Sequence, residues 1–298
     1  MSHTQIPKDK SFTALTSFAW LSIGAAVSTL ILKSGAYLLT GSVGLLSDAA
    51  ESIVNLAGAA IALGMLTIAA RPPDRDHLYG HNKAEYFASS LEGILILVAA
   101  GGILWMAFDR WIHPQALESL MLGLVVTTAA SLINFIVART LISVGRKRNS
   151  ITLEADGQHL MTDVWTSVGV IISITVVGIT GWNLLDPLVA VLVAVNIVWT
   201  GIRLIRRSVA GFMDTAPNGM TEQIIVKIQK MKGVYDCHAV RIRPSGARWF
   251  VDLHVTMDGE RTLNEAHAMT EKIEKEVKKL VPQSDVTVHV EPKEMAET

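Results

Sequence analysis

The chain has 298 residues, half of them hydrophobic and 18% charged, with a mean hydropathy of +0.38. Its net charge of −1 and pI near 6.8 exclude the basic footprint of a nucleic-acid binder. A single cysteine, Cys237, excludes a disulfide framework and a multi-thiolate metal site within one chain.

Long apolar blocks fill the chain before about residue 208, and charges gather after it. Six blocks reach the roughly 20 residues needed to cross a bilayer: 11–39, 42–70, 84–112, 117–144, 151–180 and 184–205. The first is too long for the apolar region of a signal peptide, and no small-residue cleavage site follows it. With both termini inside, the inner face collects Lys8, Lys10, Arg71, Arg75, Lys83, Arg139, Arg146, Lys147, Arg148, Arg203, Arg206 and Arg207, and the outer face only Lys33 and Arg110. That imbalance predicts a cell inner (cytoplasmic) membrane protein with both ends cytoplasmic.

The expected division is residues 1–208 as a six-helix transmembrane domain and 209–298 as a cytoplasmic tail. In the tail, 221–231 reads as an amphipathic helix, and 237–243 and 249–257 alternate like strands around a turn at Pro244-Ser245-Gly246. Leu263, Ala266, Thr270, Ile273, Val277 and Leu280 mark one face of a second helix, and 285–291 reads as a last strand. The predicted fold is therefore an α-helical membrane protein with six transmembrane helices and a C-terminal α+β domain of order αββαβ, ferredoxin-like or metallochaperone-like.

Ionisable residues deep in a span are costly and call for a reason. The second span carries Asp48, Glu51 and Asn55, and the fifth carries Asp156, His159 and Asp163. Both trios follow i, i+3, i+7, which puts each along one helical face. On the predicted topology the two helices run in opposite directions, as an inverted repeat around a midplane site would have them. Glu51, Asn55, His159 and Asp163 offer three oxygen donors and one imidazole, a set that suits a divalent cation. The competing reading is a polar cluster joining two helices. Two carboxylates favour ligands, because interhelical hydrogen bonding rarely calls for them. Asp48 and Asp156 stand behind those ligands or line the cavity.

Asp74, His77 and His81 in the loop after span two could close on one ion, or form a solvated turn. In the tail, His289 and Glu291 share the strand face opposite Val286, Val288 and Val290. His254 likewise lies away from Trp249, Val251, Leu253 and Val255, His238 begins the first strand, and His267 is on the second helix. Four histidines in so short a domain favour metal over coincidence. Seven of the nine histidines in the chain fall in these three clusters, which makes metal handling the common theme. Glu92, Asn134 and Asn196 read as interhelical hydrogen-bonding or cavity residues.

With these residues in place, the chain resembles the cation diffusion facilitator family, particularly its bacterial YiiP-like branch. The likeness covers nearly the whole length: six spans, the segment from Ser42 to Ser52, the Gly80-His81-Asn82-Lys83-Ala84-Glu85 loop, His159-x-x-x-Asp163 and the αββαβ tail. It implies a secondary active transporter rather than an enzyme, namely a homodimeric, proton-coupled exporter of divalent transition metals working by alternating access. It also implies a transport site at Glu51, Asn55, His159 and Asp163, and a loop site at Asp74, His77 and His81. The dimer-interface metal sites of the tail would be His238, His254, His267, His289 and Glu291. Lys83 and Asp214 match a charge pair that links membrane and tail parts in relatives. One departure stands out: zinc-transporting relatives usually have Asp or His, then Asp, where this chain has Glu51 and Asn55. Zn, Fe(II), Mn, Co and Ni therefore all stay open as substrate and regulator. Two rival classes make different demands. An intramembrane metalloenzyme lacks its H-E-x-x-H arrangement here, and a membrane-bound sensor or scaffold without vectorial transport leaves the buried carboxylates unexplained.

Overall fold

The computed structural model describes residues 10–40, 43–112, 121–180 and 185–293. His3, His113 and the side chain of Asp48 lie outside the described set. By its internal packing the chain divides into two compact units, Met1–Val209 and Ala210–Thr298.

The first unit is a bundle of six long helices: α1 (Lys10–Thr40), α2 (Val43–Ala69), α3 (Ala84–Ile112), α4 (Met121–Lys147), α5 (Ile151–Thr180) and α6 (Leu185–Phe212). Among the described residues five of them, all but α5, are long and apolar enough to cross a membrane. The N-terminal half of α5 carries Glu154, Asp156, His159 and Asp163. Large apolar side chains such as Ile31, Leu38, Val98, Trp105, Leu192 and Trp199 are exposed, as lipid-facing residues should be.

Two spans differ from expectation at their C-termini. The fourth ends at Lys147 rather than 144, and the sixth runs to Phe212 rather than 205. An apolar count ends where lipid would end, but a helix continues as long as its backbone bonds do. In α4 the extra turn brings Arg146 and Lys147 to the negative end of the helix dipole.

Lipid gives helices no hydrophobic reason to associate, so close approach and polar contacts must hold the bundle. Gly157 of α5 is such a point: a Cβ there would lie 2.8 Å from Ile142 Cγ1 and 3.0 Å from the carbonyl oxygen of Ala138 on α4. Ile96 and Ala100 of α3 pack with Ala155 of α5 and with Ile197 and Leu204 of α6. Polar contacts also join the helix ends near the α2–α3 and α4–α5 connections. The fully buried Glu85 takes the Ser150 hydroxyl and, at 3.4 Å, the Thr152 amide, while Glu154 is flanked by Arg146 (3.1 Å) and Arg207.

The second unit has the order α7 (Met220–Gln229), β1 (Asp236–Ser245), β2 (Arg248–Met257), α8 (Leu263–Leu280), β3 (Ser284–Pro292). The sheet order is β1-β2-β3, with β1 antiparallel and β3 parallel to β2. Ile224, Ile228, Val251, Leu253, Val255, Ile273, Val277 and Val286 form its core. Thr262 caps α8 reciprocally with Glu265, a capping box. The expected apolar face of that helix holds at Ile273 and Val277, but Leu263 is 86% exposed because it sits in the first turn, ahead of the sheet. The turn between β1 and β2 falls at Gly246-Ala247, later than expected, since Pro244 and Ser245 still pair with Trp249 and Arg248.

Cys237 lies 2% exposed in the tail core, and burial, helped by Asp236, pushes its thiol up to about 11. Only the thiolate reacts, so alkylation by iodoacetamide at pH 8 should be slow in the folded protein and fast in denaturant. Equal rates in the two conditions would contradict the buried placement.

Candidate metal sites

The first site is built where α2 meets α5. Asn55 and His159 are 4% and 5% exposed, and Asp163 is equally buried. Asn55 Nδ2 donates to Asp163 Oδ2 at 2.5 Å, and Asn134 Nδ2 on α4 donates to the same oxygen at 3.0 Å. A carboxylate only accepts, so the Asn55 amide must turn its nitrogen that way. Its carbonyl oxygen is left facing His159 Nε2 at 2.8 Å, and Nε2 therefore donates. Glu51, one turn before Asn55, is exposed on the bundle surface but lies close enough to act electrostatically on His159. Glu92, Asp163 and Asp156 act on the same imidazole. Asp156 is buried on α5 and takes the Ser22 hydroxyl of α1 at 3.0 Å.

Two participants were read from sequence only as generic polar residues. Asn134 shares the carboxylate of Asp163, and Glu92 on α3, 1% exposed, places Oε2 3.4 Å from His159 Nδ1. Glu92 follows Glu85 and Ser89, and Asn134 follows Thr127 and Ser131, each at i, i+4, i+7, so spacing marks a polar face on α3 and on α4 but does not name the partner on α5.

The second site is the loop between α2 and α3. Asp74 Oδ1 lies 3.2 Å from His77 Nδ1, and Asp74 Oδ2 lies 3.3 Å from His81 Nε2. The imidazole rings are 4.4 Å apart, and one ligand atom from each residue falls within 4.8 Å of the others. The loop is folded by Asp74 itself, whose Oδ1 accepts the amides of Asp76 (3.0 Å) and His77 (2.7 Å), an Asx turn. The His77 amide chiefly holds the Asp74 carboxyl below its usual range. The turn is therefore supported above the ordinary aspartate value and loses that support as pH falls through the lowered one.

The third site lies on the outer face of the tail sheet. In the register His238 stands opposite His254, and His254 opposite His289, so three histidines form a row across three strands. Glu291 sits among them: its oxygens are 3.2 Å from His238 Nε2, 2.9 Å from His254 Nδ1 and 3.7 Å from His289 Nε2. A bulge between His238 and Arg241, with Ala239 at φ 49°, aims His238 into this row. His267 stands elsewhere on α8, beside Glu271 at 3.8 Å. Asp214 follows α6 at φ 54°, and Arg243 Nη1 lies 4.0 Å from its Oδ1.

The cation efflux transmembrane domain matches residues 19–213, and the cation efflux protein cytoplasmic domain matches 216–293. The chain belongs to the cation diffusion facilitator family. It is a multi-pass membrane protein of that family and resembles its cation efflux transporters. An uncharacterized transporter of Synechocystis sp., sll1263, is 45% identical over 93% of this chain and 90% of its own length. The cation-efflux pump FieF of Klebsiella pneumoniae is 27% identical over 95% of each. Among solved structures, the metal-bound C-terminal domain of the CzcD transporter from Thermotoga maritima is 36% identical. It covers 24% of this chain and 86% of its own, with a TM-score of 0.23.

Proposed function

We propose that the protein exports divalent transition-metal cations from the cytoplasm in exchange for protons. The ion would be held between α2 and α5 by Glu51, Asn55, His159 and Asp163. The observation that carries the reading is the buried chain from Asp163 through Asn55 to His159 Nε2. It gathers an imidazole, an amide oxygen and a carboxylate from two helices at one point.

The same chain suggests the coupling. Nε2 carries a hydrogen toward Asn55, and a metal can use that nitrogen only once the hydrogen has left. Loading on the inner side then releases a proton, and exposure to a more acidic outside returns one and expels the ion. An imidazole suits the exchange, since its unperturbed pKa is near 6.5. Alternating access between the two faces completes the cycle. The charge bias of the loops supports cytoplasmic termini in the inner membrane. The cytoplasmic-domain match supports a homodimer joined through the tail, with the histidine row and His267 as regulatory metal ligands. Asp74, His77 and His81 would form a collecting site at the inner mouth, and Lys83 with Asp214 would carry over the family's hinge pair. With an amide in place of one carboxylate, zinc has no privileged claim over Fe(II), Mn, Co or Ni.

Inverted membrane vesicles test the proposal. Zn(II) or Co(II) should accumulate when the lumen is acidic, and a protonophore should abolish the accumulation. No uptake with any of the five metals would instead favour a sensor or scaffold.

A further inference from the structure

We infer that Glu92 is the positioning carboxylate of His159: from α3 it holds the Nδ1 edge of the imidazole and aims Nε2 at Asn55 and Asp163. The inference rests on the α2–α5 transport-site reading and adds a third helix to it.

Glu92 is 1% exposed in the N-terminal third of α3, and neither carboxylate oxygen has a hydrogen-bond partner. His159 Nδ1 also lacks one. The two unsatisfied groups face each other at 3.4 Å, slightly longer than a formed bond. A residue kept only to join helices would have made its hydrogen bonds, and a glutamine would do that work without a charge. An acid retained deep in a span without such bonds marks a functional position.

The neighbouring helix leaves room for it. A Cβ at Gly58 of α2 would come within 2.9 Å of Glu92 Oε1, so α2 is bare where the carboxylate reaches past it toward His159. Of the other buried acids near the imidazole, Asp163 accepts from Asn55 and Asn134, and Asp156 accepts from Ser22 through Oδ1. Nε2 already points at Asn55, so the nitrogen turned toward Glu92 is the one a metal does not use. A histidine that binds metal through one nitrogen commonly gives the other N–H to a carboxylate, which fixes its ring and strengthens it as a ligand. Glu92 thereby supplies, from behind the imidazole, a negative charge that Asn55 does not.

The test is the initial rate of Co(II) uptake by the full chain in proteoliposomes, measured across Co(II) concentration. Glu92→Gln keeps the shape and removes the charge, and should raise KM by about 10- to 100-fold, with Glu92→Asp falling between it and wild type. Melting temperature and elution volume should stay at wild-type values. A wild-type KM in Glu92→Gln overturns the inference. So does a lower maximal rate with KM unchanged, which is what a purely structural residue would give. Should the Gln variant not fold, a wild-type KM in Glu92→Asp overturns it equally. Asp163→Ala, run alongside, separates the two claims. Flux surviving there removes the α2–α5 site itself. Flux lost there, with KM unchanged in Glu92→Gln, removes only the role of Glu92.

Discussion

Replacing Asp163 by alanine should abolish metal flux in proteoliposomes, lowering it by more than about 100-fold, since a lost ligand should cost at least as much as a lost supporting contact. Asp163 does two things at once. Its charge offsets a dication in a medium that solvates charge poorly. Its Oδ2 also takes hydrogen bonds from Asn55 at 2.5 Å and Asn134 at 3.0 Å. Alanine leaves both amides buried without an acceptor, at a cost of about 1–3 kcal/mol each. The Asn55 amide would then be free to rotate away from His159. Asp163→Asn separates the two effects, because it keeps the volume and can still accept a hydrogen bond while losing the charge. Flux should be lost there too, in protein that elutes and melts as wild type does. Undiminished flux in either variant would sink the assignment.

How much of this was legible beforehand differs from element to element. Six spans and the αββαβ tail could be read because bilayer thickness and strand alternation are periodic constraints written along one chain. The rows Glu51–Asn55 and His159–Asp163 were readable for the same reason: a helix repeats, so a polar row declares its face. For Glu92 and Asn134 a polar face was not enough. Each is meaningful only through a neighbour on another helix, and which helices touch depends on where backbones approach, as at Gly58 and Gly157. The tail shows a similar limit. Alternation assigned His254 and His289 to one face, but it does not set register, and a slip of two residues would have kept the face while dispersing the row. The bulge at His238–Arg241 and the parallel pairing of β2 with β3 set that register. His267 shows the converse, since a short sequence distance did not bring it to the row.

His254 is where that register has its largest consequence. It occupies the central strand, opposite His238 on one side and His289 on the other, with rings 5.4 Å and 4.7 Å away. Its Nδ1 makes the shortest of the three contacts to Glu291, at 2.9 Å. His254, His238 and Glu291 place one ligand atom each within 4.8 Å of one another, so His254→Ala should leave that group with two of its three ligands. Zn(II) titration of the full chain at pH 7.5 by calorimetry should then lose one class of binding, with affinity there falling by about 100-fold or more. The proposed transport ligands lie on α2 and α5, so Co(II) flux at saturating metal should persist in this variant. An unchanged Zn(II) isotherm would show that the row across the sheet is a surface feature and not a metal site. Loss of saturating flux would show that the tail takes part in the transport step itself.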